Sequence, residues 1–182
     1  MRLVRGLAWN SKGEYLVKNN SYLGVIRNMI TAAERERRTE VLTDALRRSG
    51  LRVTYQRLEI VREIAGTDEH PDVEHVYRAV RERIPTVALD TVYRTLGTLA
   101  DIGAITRVAA RSGSARYDAN GRQHHHFVCT RCGLIRDIES SELDTVQAPQ
   151  EAAALGEVES VEVQLRGVCA ACALRLGSDG IV

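Results

Sequence analysis

Between residues 34 and 102 the apolar positions return every three or four residues, the spacing that keeps one face of an α-helix out of water. This pattern predicts a helix over 34–49, with Val41, Leu42, Ala45 and Leu46 on one face, Arg35, Arg38, Glu40, Arg47 and Arg48 around it, and Gly50 closing it. A second helix is expected to start at Thr54 as N-cap and to run through Leu58, Ile60, Val61 and Ile64 to Gly66. Pro71 biases the residue before it away from helix, so 67–71 reads as a loop. Asp72 then caps a third helix through Val73, Val76, Tyr77 and Val80, stopped by Pro85. A fourth, over 89–102, turns Val92, Leu96 and Leu99 inward and ends at Gly103. Two short strands, 105–108 and 115–118, follow around Arg111-Ser-Gly-Ser.

Helix, short turn and helix followed by a two-stranded ribbon is the outline of a winged helix-turn-helix. On that outline Thr91, Tyr93 and Arg94 lie near the outward, N-terminal end of the last helix, where a recognition helix meets base edges and phosphates. Arg57 on the second helix and Arg111 or Arg116 at the wing would contact the DNA backbone. Charge leaves a second reading open. Residues 31–120 carry 15 basic and 14 acidic side chains, the balance of an ordinary solvated face rather than the basic excess of a strong DNA binder.

After Gly121 the helical period gives way to alternation, with strands expected over 124–128, 134–138 and 158–165 and a helix over 141–155 interrupted by Pro149. Residues 121–182 hold nine acidic residues against five arginines, which argues against a second nucleic-acid surface and suits a dimerisation role. The expected fold class is α+β: a tail or mis-assigned leader over 1–30, a winged-helix DNA-binding domain over 31–119, and a small α/β metal-binding dimerisation domain over 120–182. Residues 1–28 hold both lysines, the only tryptophan and four of the five asparagines. They fit a disordered extension, a basic arm that touches phosphate, or a translated leader ahead of a start at Met29. With 44% hydrophobic residues the chain has material for a packed core, and no apolar run approaches the roughly 18 residues of a membrane span. A cytoplasmic protein with reduced thiols is the expectation.

All four cysteines fall into two pairs with a two-residue gap, Cys129/Cys132 and Cys169/Cys172. Two such knuckles offer four soft thiolates, the donor set of a closed tetrahedral Zn(II) site with no open position for catalysis. Two disulfides would suit a secreted protein, but the chain shows no secretory signal pattern. A dithiol redox pair would need a βαβ setting that the pattern does not offer. Three of the five histidines are consecutive. On a strand, His124 and His126 project to one face while His125 and Cys129 project to the other, so the histidine pair and the cysteine knuckle serve different ions. Asp137 on the returning strand can reach the histidine face, Asp118 ends the wing, and His70 sits in the loop of the first domain. Three imidazoles and two carboxylates form an N/O set that suits Fe(II) or Mn(II) as well as Zn(II). Each also has a plain reading, as a loop, turn or surface residue.

Taken in order, Thr54-Tyr-Gln-Arg57, His70-Pro71, Asp90-Thr-Val-Tyr93-Arg-Thr-Leu96, Arg116-Tyr-Asp118, His124-x-His126-x-x-Cys129-x-x-Cys132-Gly and Gly167-Val-Cys169-x-x-Cys172 resemble the ferric uptake regulator family of bacterial metal-dependent repressors. The resemblance covers about residues 34–175. It implies a homodimer, not an enzyme, whose winged helices bind an AT-rich inverted repeat in double-stranded DNA when a regulatory metal is bound. It assigns Cys129, Cys132, Cys169 and Cys172 to structural zinc, and His70, Asp118, His124, His126 and Asp137 to the regulatory Fe(II) or Mn(II). Tyr93 and Arg57 match DNA-contacting positions. Aspartate at 137 resembles the peroxide-sensing members, in which iron-catalysed oxidation of the histidines matching His70 and His124 ends repression; iron sensors usually carry glutamate there.

Departures from the family pattern are Tyr55 in place of a first-turn proline, Ala88 in place of the serine N-cap of the recognition helix, and Gln123 and His125 in the histidine run. No histidine lies between 127 and 182, which puts a further metal site of some relatives in doubt. An iron-, zinc- or nickel-responsive repressor without peroxide sensing would share almost every one of these residues. A zinc-dithiol redox switch would use Cys129 and Cys132 chemically and have no need of His70.

Overall fold

The structure, a computed structural model, describes residues 7–9, 14–19, 22–27, 30–108 and 115–178, with side chains from 30–108 and 115–175. The chain divides into two compact units, one of residues 28–121 and one of residues 1–27 with 122–182. The arginine at 111 that the sequence assigns to the wing tip lies outside the described residues.

The chain opens with strands β1 (Leu7–Trp9), β2 (Glu14–Asn19) and β3 (Tyr22–Arg27), an antiparallel meander of order β1-β2-β3. In the unit of residues 28–121, four helices follow: α1 (Ala32–Arg48), α2 (Tyr55–Ala65), α3 (Val73–Arg83) and α4 (Leu89–Asp101). Local chemistry sets their starts. The side chains of Thr31, Thr54 and Asp72 each accept a hydrogen bond from the amide three residues on, satisfying an N–H that the helix itself leaves without a partner. Ala88, at the start of α4, offers no such bond, as its side chain dictates. Asp90 in the first turn of α4 supplies the negative charge that a helix N-terminus favours.

Packing then follows the period of the sequence. Leu42 and Leu46 of α1, Ile60, Val61 and Ile64 of α2, Val76 and Val80 of α3, and Val92, Leu96 and Leu99 of α4 form one core. Val41, expected among them, is 50% exposed. The buried stripe of α1 runs Arg38, Leu42, Ala45, Leu46, which turns Val41 to its flank. Arg38 enters that stripe because its guanidinium is paired twice, with Glu34 at 3.0 Å and Asp68 at 2.8 Å. Strands β4 (Thr106–Val108) and β5 (Arg116–Asp118) pair antiparallel, Arg107 opposite Tyr117. The inward side chains of this ribbon, Ile105 before β4 and Tyr117 of β5, join the helical core. Helices and ribbon make the winged helix-turn-helix that the pattern predicts.

In the second unit, β6 (His125–Cys129) lies between β7 (Ile135–Ile138), antiparallel to it, and β8 (Gln164–Gly167), parallel to it; α5 (Ala170–Ser178) follows. Two expectations fail here. The helix over 141–155 is replaced by two 3-10 turns, Leu143–Thr145 and Gln150–Ala154. Pro149 divides the segment and neither turn buries a side chain, so no packing supports a helix too short to stand alone. The strand expected over 158–165 is found over Gln164–Gly167; just before it, the carbonyl of Val163 accepts from the His126 amide at 3.1 Å while its amide donates at 3.1 Å to Nδ1 of His125. None of the described helices is long and apolar enough to cross a membrane.

Candidate metal centre

Strand β6 carries chemistry on both faces, as the two-residue period of a strand requires. At its end, Cys129 and Cys132 form a tight knuckle. The amide of Gly133 donates to the Cys129 carbonyl at 3.1 Å, and Gly133 takes the left-handed φ of 73° that closes this turn. Cys169 and Cys172, the first just before α5 and the second within its first turn, complete the group. All four sulfurs lie within 4.8 Å of one another and none is in a disulfide. Cys132 Sγ and Cys169 Sγ are 3.7 Å apart. The edge of a tetrahedron with zinc–sulfur bonds of about 2.3 Å is roughly 3.8 Å, the separation of this pair.

The electrostatics point the same way. Amides of Cys132 and Cys169 donate toward Cys129 Sγ, the latter at 3.3 Å, and hold that thiol down to about 6. The neighbouring thiols of Cys132 and Cys169 push Cys172 up to about 12. One thiolate is thus prepared by the backbone, while four together are unfavourable without a cation among them.

On the opposite side of the strand, His124 Nε2 and His126 Nε2 face each other at 3.0 Å, and Asp137 Oδ1 stands 3.9 Å from each. Asp137 is brought there by register, directly across from His126 in the β6–β7 pair. His124 Nδ1 is 2.8 Å from the Arg122 carbonyl. A carbonyl only accepts, so Nδ1 carries the proton and Nε2 is the nitrogen left to present a lone pair inward. Two cis ligands at about 2.1 Å from an octahedral ion would be roughly 3.0 Å apart, the separation of the two imidazoles. Histidines with a carboxylate fit a divalent ion of intermediate hardness.

His125, on the other face of β6, is fully buried and has no part in that group. Its Nδ1 accepts from the Val163 amide, so Nε2 donates to Asp144 at 3.1 Å. The sequence separates His125 from its neighbours by alternation, but nothing local announces Asp144, 19 residues on.

Within the unit of residues 28–121, His70 Nε2 lies 3.9 Å from Asp118 Oδ1. His70 adopts φ of 52°, the only positive φ among the described non-glycine residues, a conformation that costs an L-residue roughly 1–2 kcal/mol. Surrounding contacts must hold it there.

The candidate DNA contacts divide. Tyr93 is 63% exposed on the first turns of α4, and Arg94 is exposed beside it, 3.9 Å from Asp90. Thr91 is half-buried; its carbonyl accepts from the Thr95 hydroxyl at 2.6 Å. Arg57 donates to the Arg52 carbonyl at 2.6 Å. The guanidinium of Arg116, expected at DNA phosphate, bonds the carbonyls of Glu69 and His70. The wing position suggests a phosphate contact, but the bonding partners lie 46 and 47 residues earlier, beyond the reach of any local pattern.

Known proteins match this arrangement. The model of the ferric uptake regulator family matches residues 48–166. The peroxide-responsive repressor PerR of Staphylococcus epidermidis is 30% identical over 128 residues, covering 70% of this chain and 85% of that protein. PerR of Staphylococcus aureus strain Mu50 is 29% identical over 70% of this chain and 86% of its own length. Among solved structures, a zinc-bound manganese uptake regulator is similar with a TM-score of 0.56 and 29% identity, over 71% of this chain and 98% of that one. The ferric uptake regulator of Pseudomonas aeruginosa with manganese has a TM-score of 0.56 and 26% identity over the same shares. With residues 48–166 inside the family model and a 30% identical relative matched over 70% of its length, the chain belongs to the ferric uptake regulator family of metal-dependent transcription regulators.

Proposed function

We propose that this protein is a homodimeric, metal-dependent transcriptional repressor that binds an AT-rich inverted repeat and releases it when peroxide oxidises a histidine of its regulatory site. The observation that carries this reading is the two-faced strand β6, with four thiols gathered at its end and His124, His126 and Asp137 gathered on its other face. Cys129, Cys132, Cys169 and Cys172 would hold a structural Zn(II). His124, His126 and Asp137, with His70 and Asp118 of the other unit, would hold a regulatory Fe(II) or Mn(II). A zinc-bound and a manganese-containing relative support the two metals.

Each residue has a task on this reading. His124, its tautomer set by the Arg122 carbonyl, and His126 offer Nε2 lone pairs, and Asp137 offsets the charge of the ion. His70 brings a ligand from the DNA-binding unit, so loading the site restricts the angle between the two units. In a dimer this angle sets the spacing of two α4 helices one duplex turn apart. Tyr93, Thr91 and Arg94 would read the operator from the exposed start of α4, and Arg57 would lie along its backbone. Bound Fe(II) would supply the reduction of peroxide that oxidises an adjacent imidazole, whereas Mn(II) would supply charge and geometry alone. Such a repressor acts in the cytoplasm.

Aspartate at 137 and the similarity to PerR proteins favour the peroxide signal over a plain response to iron, zinc or nickel. The test is fluorescence anisotropy of the zinc-loaded protein on an AT-rich inverted repeat, with Fe(II) or Mn(II), before and after a small dose of peroxide, followed by peptide mass spectrometry. Loss of binding with iron but not manganese, with one oxygen added to the His70 or His124 peptide, is expected. Asp137→Glu should weaken this sensitivity more than it weakens binding. Metal-dependent binding that survives peroxide would instead make this a plain metal-responsive repressor.

A further inference from the structure

The loop of residues 67–71, which carries His70, is gripped from two sides by its own unit. From α1, the buried guanidinium of Arg38 donates to Asp68 at 2.8 Å and to Glu34 at 3.0 Å. From β5, Arg116 donates through Nε to the His70 carbonyl and through Nη2 to the Glu69 carbonyl at 3.0 Å. The next amide of β5, that of Tyr117, donates to the Pro71 carbonyl at 3.0 Å. Three successive carbonyls of the loop are therefore taken by two successive residues of one strand. The residue after them, Asp118, is the carboxylate that faces His70.

We propose that Arg116 is a positioning residue for the regulatory metal, its guanidinium bridging two consecutive carbonyls to hold His70 in the left-handed conformation that turns the imidazole toward Asp118. This rests on the reading of His70 as a ligand of that metal. The argument is one of shape. A guanidinium presents its N–H donors in a fixed plane and meets two acceptors at once, whereas an ammonium on a flexible stem keeps the charge without the fork. A non-glycine residue with positive φ relaxes once the contacts that impose it are removed. The bridge and the Tyr117 amide are the contacts that reach the loop backbone from β5, and β5 also supplies Asp118. Ligand and brace are thus neighbours on one strand, and what orients His70 also sets its distance from the carboxylate.

A phosphate-contacting Arg116 and a bracing Arg116 respond differently to lysine. If the residue serves DNA phosphate, lysine preserves most of its effect; if it braces the loop, lysine fails nearly as badly as glutamine. The experiment compares the zinc-loaded full chain with Arg116→Lys, Arg116→Gln and His70→Ala. It measures Mn(II) affinity in the absence of DNA and amide hydrogen exchange over residues 67–72. Both Arg116 variants are expected to bind Mn(II) roughly tenfold or more weakly, the loss usual when a group that orients a metal ligand is removed. Their loop amides should exchange faster, and zinc should remain at its wild-type stoichiometry. Mn(II) affinity or loop exchange equal to wild type in Arg116→Lys would overturn the proposal. If His70→Ala weakens Mn(II) binding and the Arg116 variants do not, the brace alone is refuted. If His70→Ala binds Mn(II) as wild type does, His70 is not a ligand, and the proposal falls together with that reading.

Discussion

Cys129→Ser should strip the protein of zinc and, with it, unfold residues 122–178. Cys129 is the fully buried member of the four-thiol cluster, and Cys169 and Cys172 beside it are themselves core residues, with Phe127 and Leu134 packed against them. The cluster therefore joins candidate metal site and hydrophobic core, beside a sheet, β7-β6-β8, whose strands are only four or five residues long. A core of this size does not order so short a sheet unaided, and structural zinc contributes about 10 kcal/mol or more to small domains of this kind. Metal analysis should show no zinc in the variant, and far-UV circular dichroism should show loss of the β signal while the helices of residues 32–101 persist. Acid should act in the same direction. Zinc is held by thiolates, so its affinity falls as pH falls and protons compete for the sulfurs. A zinc-free variant that keeps its sheet would contradict the account.

The second large effect is expected from His126→Ala, which should abolish the response to metal without removing zinc. His126 pairs with His124 at 3.0 Å and stands across the sheet from Asp137, so its loss removes one of the three donors gathered there. Metal present at a hundred times its dissociation constant, and bound only by the DNA-competent form, favours that form by about 2.7 kcal/mol per site. Losing the site from both protomers should weaken operator binding in the presence of Mn(II) by roughly a hundredfold for each site, with metal-free affinity unchanged. Anisotropy titrations with and without Mn(II) measure both numbers. A variant that retains the wild-type ratio between them would remove this cluster from the regulatory role.

What the amino-acid pattern makes legible here is what depends on neighbours in sequence. Thr54 and Asp72 cap their helices by reaching amides three residues away, so a local reading finds them. The two CxxC knuckles and the alternation that divides His124 and His126 from His125 follow from backbone geometry alone. Elements set by distant partners are misread. The strand expected from Val158 begins only at Gln164, after Val163 gives its amide to the ring of His125, 38 residues earlier, and the segment over 141–155 has apolar residues but buries none of them in its two turns. Arg38 looks like a solvated charge until Asp68, 30 residues on, is seen to pair with it. Arg116 has the address of a wing residue and the bonds of a loop brace. Of the metal candidates, spacing alone gathers the cysteines. Asp137 becomes a convincing partner of the histidines once the β6–β7 register sets it opposite His126.

Coupling between metal and DNA is tested most directly by closing the thermodynamic cycle on the zinc-loaded protein. Operator affinity is measured with and without saturating Mn(II), and Mn(II) affinity with and without saturating operator. Linkage requires the two ratios to be equal, and a metal-dependent repressor predicts that both are large, on the order of a hundredfold for each site. Operator binding that is tight and indifferent to Mn(II), or Mn(II) binding that is indifferent to operator, would contradict it.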